Sequence, residues 1–237
     1  MPTMTDGMIS WSRRCEDIEM NQPDQPTPDA SWLRTPMTDG AEIASRYDEW
    51  APNYEHELVN EWHYDAPFVA ARIVSEFLGE SSTASVLDIG CGTGLVGRAL
   101  TERGAGIVDG VDVSPASLHL ADATRAYRHT ICHDFNAGPL PVETHSYDAA
   151  VCVGVLSYAR DPMAVVRELC RVVAPGGIVV FTHRIDLWET QNLGASLNQL
   201  RARTDVQTLT WTEPKPYMPG NPTEGDLQIR YVTITTA

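Results

Sequence analysis

The chain has 237 residues, 43% of them apolar, and a formal charge of −15 at pH 7. That length suits one domain with a sizeable core, alone or with a tail, and charge of that sign repels phosphate backbones and anionic membrane surfaces. With one lysine, Lys215, and scattered arginines, no basic patch offsets it, so neither nucleic acid nor membrane is an expected partner.

Residues 1–40 read as an acidic arm, disordered or loosely docked, with Trp11, Trp32 and Leu33 as its possible anchors. The opening segment has no apolar stretch behind its two arginines, which argues against a secretory signal. Cys15, Cys91, Cys132, Cys152 and Cys170 form no CxxC pair, the pattern of reduced thiols in a cytoplasmic protein without a zinc cluster. Over 41–80 the spacing predicts a helical lid: Ile43, Tyr47, Trp50 and Ala51 on one helix, an aromatic stretch through Tyr54, Trp62, His63 and Tyr64, then a second helix over 66–78.

Residues 81–185 alternate strand and helix. Strands are expected at 85–89, 106–113, 130–132, 147–153 and 178–182, helices at 95–103, 115–127 and 162–172, with Pro175-Gly176-Gly177 as a turn. Apolar strands alternating with helices make a parallel sheet covered on both faces. Residues 186–237 supply a closing helix over 192–203 and two antiparallel strands, 206–211 and 227–235, joined by a proline-rich loop.

The densest signal is Val86-Leu87-Asp88-Ile89-Gly90-Cys91-Gly92-Thr93-Gly94, a strand running into glycines and then a helix. Glycines let the turn tighten and a ligand approach the backbone, at the strand end where open parallel sheets bind ligands. Gly92-x-Gly94-x-x-Gly97, with Asp112 about twenty residues on, also fits a dinucleotide fingerprint, so a nicotinamide-dependent oxidoreductase is one reading. Asp88 tips the balance electrostatically: a carboxylate just before the glycines repels a pyrophosphate and attracts a cationic, phosphate-free cofactor. Asp112 can accept from two ribose hydroxyls, and Asp134 from an adenine amino group, with Phe135 or Ile131 against the ring.

Taken together, Asp88 to Gly94, Asp112, Asp134, Tyr147-Asp148-Ala149-Ala150-Val151 and the segment from Leu169 to Phe181 resemble the class I S-adenosylmethionine-dependent methyltransferases over about 41–237. The resemblance implies an α/β, Rossmann-like seven-stranded sheet of order 3-2-1-4-5-7-6, strand 7 antiparallel, with helices on both faces and S-adenosyl-L-methionine as cofactor. Tyr47-Asp48-x-Trp50-Ala51-x-x-Tyr54-Glu55, Tyr64-x-x-Pro67 and Pro216-Tyr217-x-Pro219 are similar to the methyltransferase-like subgroup named after the Williams–Beuren syndrome region. Val153-Gly154-Val155-Leu156-Ser157-Tyr158 carries neither the amino-methyltransferase nor the cytosine-C5 motif of nucleic-acid enzymes, which leaves a small-molecule acceptor.

The expected cofactor contacts are Asp88, Gly90, Cys91, Gly92, Gly94, Asp112, Val113, Asp134, Phe135 and Val153, with Tyr47, Trp50 and Tyr54 closing over the methionine arm. Tyr64, Ser157, Tyr158 and His183 are candidate acceptor contacts. His183, His63 and Tyr54 are the candidate catalytic groups, with His133 placed nearer adenine, and no metal is expected. Methyl transfer from a sulfonium is an in-line displacement, so the protein mainly supplies alignment, and a base matters only for an acceptor that must lose a proton. Three alternatives stay open: the nicotinamide enzyme, a cofactor-binding module without catalysis, and a cofactor-assisted reaction without methyl transfer. The expected assembly is a monomer or homodimer.

Overall fold

The computed structural model describes residues 30–35, 37–79, 83–202 and 206–237. Trp11, Cys15 and the rest of 1–29 lie outside the described residues. Helices α1 (Gly40–Glu55) and α2 (Ala66–Leu78) come first, joined by a π-helical segment, His56–Glu61. The core then runs β1 (Ser85–Ile89), α3 (Leu95–Glu102), β2 (Ile107–Asp112), α4 (Pro115–Ala123), β3 (His129–Cys132), β4 (Tyr147–Cys152), α5 (Pro162–Val172) and β5 (Val173–Arg184). It closes with α6 (Ile185–Thr190), α7 (Leu193–Arg201), β6 (Val206–Trp211), a two-residue β7 (Lys215–Pro216) and β8 (Gln228–Thr236).

The sheet order is β3-β2-β1-β4-β5-β8-β6, with β7 pairing to β8 outside that path. β1 to β5 pair in parallel, and β8 is antiparallel to both β5 and β6. Leaving β7 aside, this is the order the motifs imply, with the last long strand inserted between β5 and β6. Alternation along the strands sends Val86, Val151 and Val180 toward α1, α2 and α3, and Leu87, Cys152 and Phe181 toward α5 and α7. Burial on both faces explains why the strands read as apolar runs rather than as alternating patterns.

Local chemistry sets the boundaries. Ser114 and Asp161 cap α4 and α5, accepting from the Ser117 and Ala164 amides, and proline follows each cap at the first helical turn. α4 stops at Ala123, short of the expected Tyr127, as the chain bends through Arg125 at φ 59°. The expected turn at Pro175-Gly176-Gly177 is instead a bulge inside β5: pairing with β4 jumps from Tyr147↔Val173 to Ala149↔Ile178. Gly177 has no room for a Cβ because the Asp148 carbonyl approaches there. The expected helix over 192–203 is α7, and an additional short helix, α6, precedes it, the two separated by Asn192 at φ 50°.

The segment just before α1 is docked. Trp32 and Leu33, in a 3-10 turn over Ala30–Arg34, are buried, and Trp32 stacks edge-on against Tyr47 and Trp50. Arg34 forms ion pairs with Glu224 and Asp226 of the β7–β8 loop. No helix among the described residues is long and apolar enough to cross a membrane.

Candidate active site

The glycine turn follows β1 at the carboxyl end of the sheet. Gly90 (φ 70°) and Gly92 (φ 52°) hold left-handed backbone, for different local reasons. A Cβ on Gly90 would overlap the Val155 side chain, whereas the space in front of Gly92 is open. The Gly92 amide donates to Asp112 Oδ2 at 2.8 Å and the Ser114 amide to Oδ1 at 2.9 Å, so two backbone donors fix the carboxylate at the tip of β2. Burial raises the Asp112 carboxyl above its usual value, and the amides of Ser114, Gly92 and Val113 oppose that rise.

These groups border a cavity of about 600 Å3, its open mouth included. Its floor is Gly90, Gly92, Asp112 and Val113; one end is His133, Asp134 and Phe135; Val153, Gly154 and Val155 follow β4; Ile43, Tyr47 and Tyr54 of α1 cover it with Tyr158. The Tyr47 and Tyr158 hydroxyls lie 3.0 Å apart. α1 is tied down on both sides of the mouth. Asp48 Oδ1 accepts from the Ser114 hydroxyl at 2.5 Å and the Ala116 amide at 3.1 Å. Glu55 accepts from the Thr93 hydroxyl at 2.9 Å and from Arg98 at 2.5 Å.

Behind the turn sits Asp88, fully buried and outside this cavity's lining. The Tyr127 hydroxyl donates to its Oδ2 at 2.7 Å and accepts from the Gly97 amide at 3.1 Å, so Asp88 braces the start of α3 through Tyr127. Its carboxyl is pushed up from 3.8 to about 7, chiefly by burial; the Tyr127 hydrogen bond opposes the rise and the Asp112 charge adds to it. Direct contact with a ligand in the cavity, expected from the sequence, is therefore not its placement.

Three other expected cofactor contacts are also displaced. Cys91 is buried beneath Gly110, Gly94 is the left-handed cap of α3 packed against Thr124 and Tyr127, and Trp50 donates its indole N–H to Glu57 at 2.8 Å within the core. Gly90, Gly92, Asp112, Val113, Asp134, Phe135, Val153, Tyr47 and Tyr54 all line the cavity, whereas Ile131 packs on the opposite core.

A second cavity, of about 410 Å3, adjoins the first and shares Tyr47, Tyr54, Gly154 and Tyr158 with it. Tyr64, Ser157, Tyr217 and Arg184 supply its remaining polar groups, and Leu33, Trp50, Leu58, Met218 and Leu227 its apolar wall. Gly154, at φ 76°, separates the two spaces: a Cβ there would stand 2.9 Å from the Tyr217 hydroxyl and 3.0 Å from that of Tyr64.

Of the expected acceptor contacts, Tyr64, Ser157 and Tyr158 line this cavity and His183 does not. Strand alternation is the reason: Thr182 and Arg184 point to the cavity side of β5, and His183 points to the other face. There it stacks on Trp188 at 6.2 Å, and its Nδ1 lies 3.0 Å from the Arg184 carbonyl oxygen. Its imidazole is held below its ordinary pKa, mainly by burial. His63 is exposed, at φ 55°, on a surface groove beside Val69 and Lys215. Neither histidine reaches the site. Arg184 is the charged lining residue the sequence reading missed, with period-two alternation from Val180 as the available signal, and Leu33, expected only as an anchor of the arm, also lines the second cavity. Tyr217 lay in a recognised motif without a role.

The glycine turn, the β2 carboxylate and the sheet order define a methyltransferase fold of the Rossmann-like class. The family described as "Methyltransferase domain" matches residues 87–181. Methyltransferase-like protein 27 of Homo sapiens is 35% identical over 158 residues, 65% of this chain and 64% of that protein. A ubiquinone biosynthesis O-methyltransferase of Neisseria meningitidis serogroup A is 32% identical over 101 residues, 41% of this chain and 42% of that protein. Under two thirds of either relative's length is thus matched. A phosphoethanolamine N-methyltransferase 2 of Haemonchus contortus, solved with S-adenosylhomocysteine, superposes with a TM-score of 0.62 at 14% identity, over 84% of this chain and 59% of that one. The chain has the class I methyltransferase fold, and its residues 87–181 match the methyltransferase-domain family.

The residues present fit that family's cofactor. Open space faces Gly92, the Asp112 carboxylate borders the cavity, and the buried His133 Nε2 at its far end has no hydrogen-bond partner among the described residues. Also among the described residues, no group of three or more His, Cys, Asp or Glu side chains is arranged to hold a metal.

Proposed function

We propose that this chain transfers a methyl group from S-adenosyl-L-methionine to a small-molecule acceptor held in the second cavity. One observation carries the reading: a cavity floored by the glycine turn and Asp112 shares Tyr47, Tyr54, Gly154 and Tyr158 with an adjoining tyrosine-lined space. In it Asp112 holds the ribose, Asp134 and Phe135 the adenine, and Tyr47 and Tyr54 cover the methionine arm. Asp88 contributes from behind the turn, through Tyr127. When bound, the cofactor supplies an electrophilic methyl group on a leaving sulfonium. The protein's part is to align acceptor and donor across Gly154 and to keep water out with α1 and the Leu33 segment.

Burial raises the pKa of Tyr47, Tyr54, Tyr64, Tyr158 and Tyr217, so these phenols orient an acceptor as hydrogen-bond donors rather than act as bases. Tyr54 is a contact to both ligands rather than a general base, and His183 and His63 line neither cavity. The acidic surface and the small cavity support a metabolite rather than a nucleic acid, and the cysteine pattern a cytoplasmic setting, with residues 1–40 as an arm on the domain over 41–237.

Calorimetry with S-adenosylhomocysteine against NADH and NADPH tests this reading. Micromolar binding of the homocysteine compound alone is expected; binding of a dinucleotide in its place overturns it.

A further inference from the structure

Among the described residues, the second cavity offers no base for an acceptor's proton. Its polar side chains are the phenols described above, the Ser157 hydroxyl and the Arg184 guanidinium, and none of them is a carboxylate or an imidazole. His133 and the two aspartates line the first cavity only. An acceptor that must be deprotonated as it reacts, such as an aliphatic alcohol, finds no base here.

Among the described residues, Arg184 is the one charged group in that lining. Asp186 takes its Nε and Nη2 hydrogens at 3.1 and 2.6 Å, and the Leu33 carbonyl accepts from Nη1 at 2.5 Å. A guanidinium has five N–H donors, so two remain after these three bonds. The Arg184 side chain is 9% exposed and that of Asp186 43%, so the cation is the buried member of the pair and the one that borders the cavity. Arg184 is thus fixed by three hydrogen bonds and borders the cavity with two N–H groups uncommitted among the described residues.

We propose that the acceptor is a small carboxylic acid, bound as its carboxylate by Arg184 and the neighbouring tyrosine hydroxyls, and that the product is its methyl ester. The inference rests on the methyltransferase reading above. A carboxylate is already ionised at neutral pH. Its oxygen forms the new C–O bond as the methyl carbon's bond to sulfur breaks, the electron pair staying on sulfur. The anion and the sulfonium become a neutral ester and a neutral thioether, and no proton moves. A site of donors without a base suits that reaction.

The test uses full-length protein, methyl-tritiated S-adenosylmethionine and matched probes: phenylacetate, benzoate and hexanoate, their carboxamides, and phenol and benzylamine. Binding of each to protein saturated with S-adenosylhomocysteine is measured by calorimetry alongside label transfer. The expected result is binding of carboxylates about tenfold or more tighter than carboxamides, with transferred label released as volatile methanol in mild alkali, as only a methyl ester allows. Arg184→Gln should lose that preference while S-adenosylhomocysteine affinity stays within about twofold; Arg184→Lys should keep part of it. Equal affinity for acids and amides, alkali-stable label on phenol or benzylamine, or neither binding nor transfer for every acid overturns the proposal. Failure of S-adenosylhomocysteine itself to bind overturns the methyltransferase reading instead, and the wild-type comparison of acids with amides stands whether or not the variants fold.

Discussion

Glu55, the last residue of α1, accepts a hydrogen bond from the Thr93 hydroxyl at 2.9 Å, joining the covering helix to the glycine turn it covers. Arg98 of α3 grips the other carboxylate oxygen. Replacing Glu55 with Ala removes both links at a half-exposed position, so the fold should survive while α1 loosens over the first cavity. A weakening of S-adenosylhomocysteine binding by about five- to tenfold is expected, the worth of roughly one hydrogen bond. Calorimetry reads it, and a thermal melt within a few degrees of wild type shows that the loss is local.

Asp112→Asn keeps the shape of the β2 tip and removes the charge. One amide oxygen cannot serve the Gly92 amide, the Ser114 amide and two ribose hydroxyls together. The expected loss is about 100-fold in nucleoside affinity, from one or two charge-assisted hydrogen bonds. Unchanged affinity would remove Asp112 from the ribose role.

Gly90 and Gly92 should separate stability from binding. Gly90→Ala drives a methyl into Val155 and strains a left-handed residue, so unfolding free energy should fall by roughly 1–3 kcal/mol. Gly92→Ala carries the same kind of strain but meets nothing in the protein. It should cost only about 1 kcal/mol in urea unfolding and be detected mainly as lost cofactor affinity, because its methyl enters the ligand's space.

Asp88 gives a pH signature. Its carboxyl titrates at about 7 when folded against 3.8 in the reference state, so the native state holds the proton more tightly. The linked stability is fully present below the unfolded value, near pH 4, and is lost as pH rises through about 7. Asp88→Asn removes the titration while leaving a carbonyl to accept from Tyr127. The variant should therefore gain on wild type between pH 4 and pH 8 by up to roughly 4 kcal/mol. Urea denaturation across that range measures it, and a constant difference between the two proteins would refute the assignment.

How legible was this molecule in its sequence? β1, α2 and α5 begin and end where the glycine, proline and cap residues mark them, and the sheet order, β7 aside, is the one the family resemblance implies. Asp112 and the Tyr47–Tyr54 cover were readable because a strand end and helical periodicity each fix where a side chain points. The bulge at Pro175 and the break at Asn192 were not, since glycine and proline signal a departure from regular backbone without saying whether pairing resumes. His183 and Arg184 were exchanged for a simple physical reason: one residue of phase along a strand inverts its face. Arg184's partners, Leu33 and Asp186, come from the segment before α1 and from α6, a helix that no local pattern announced.

The thin division at Gly154 couples what the two spaces hold. Tyr47, Tyr54 and Tyr158 contribute to both, so a guest in either space touches side chains that also wall the other. Linkage makes that influence reciprocal: any factor by which nucleoside tightens acceptor is the factor by which acceptor tightens nucleoside. The acceptor's dissociation constant, measured with and without saturating cofactor, reads that coupling directly.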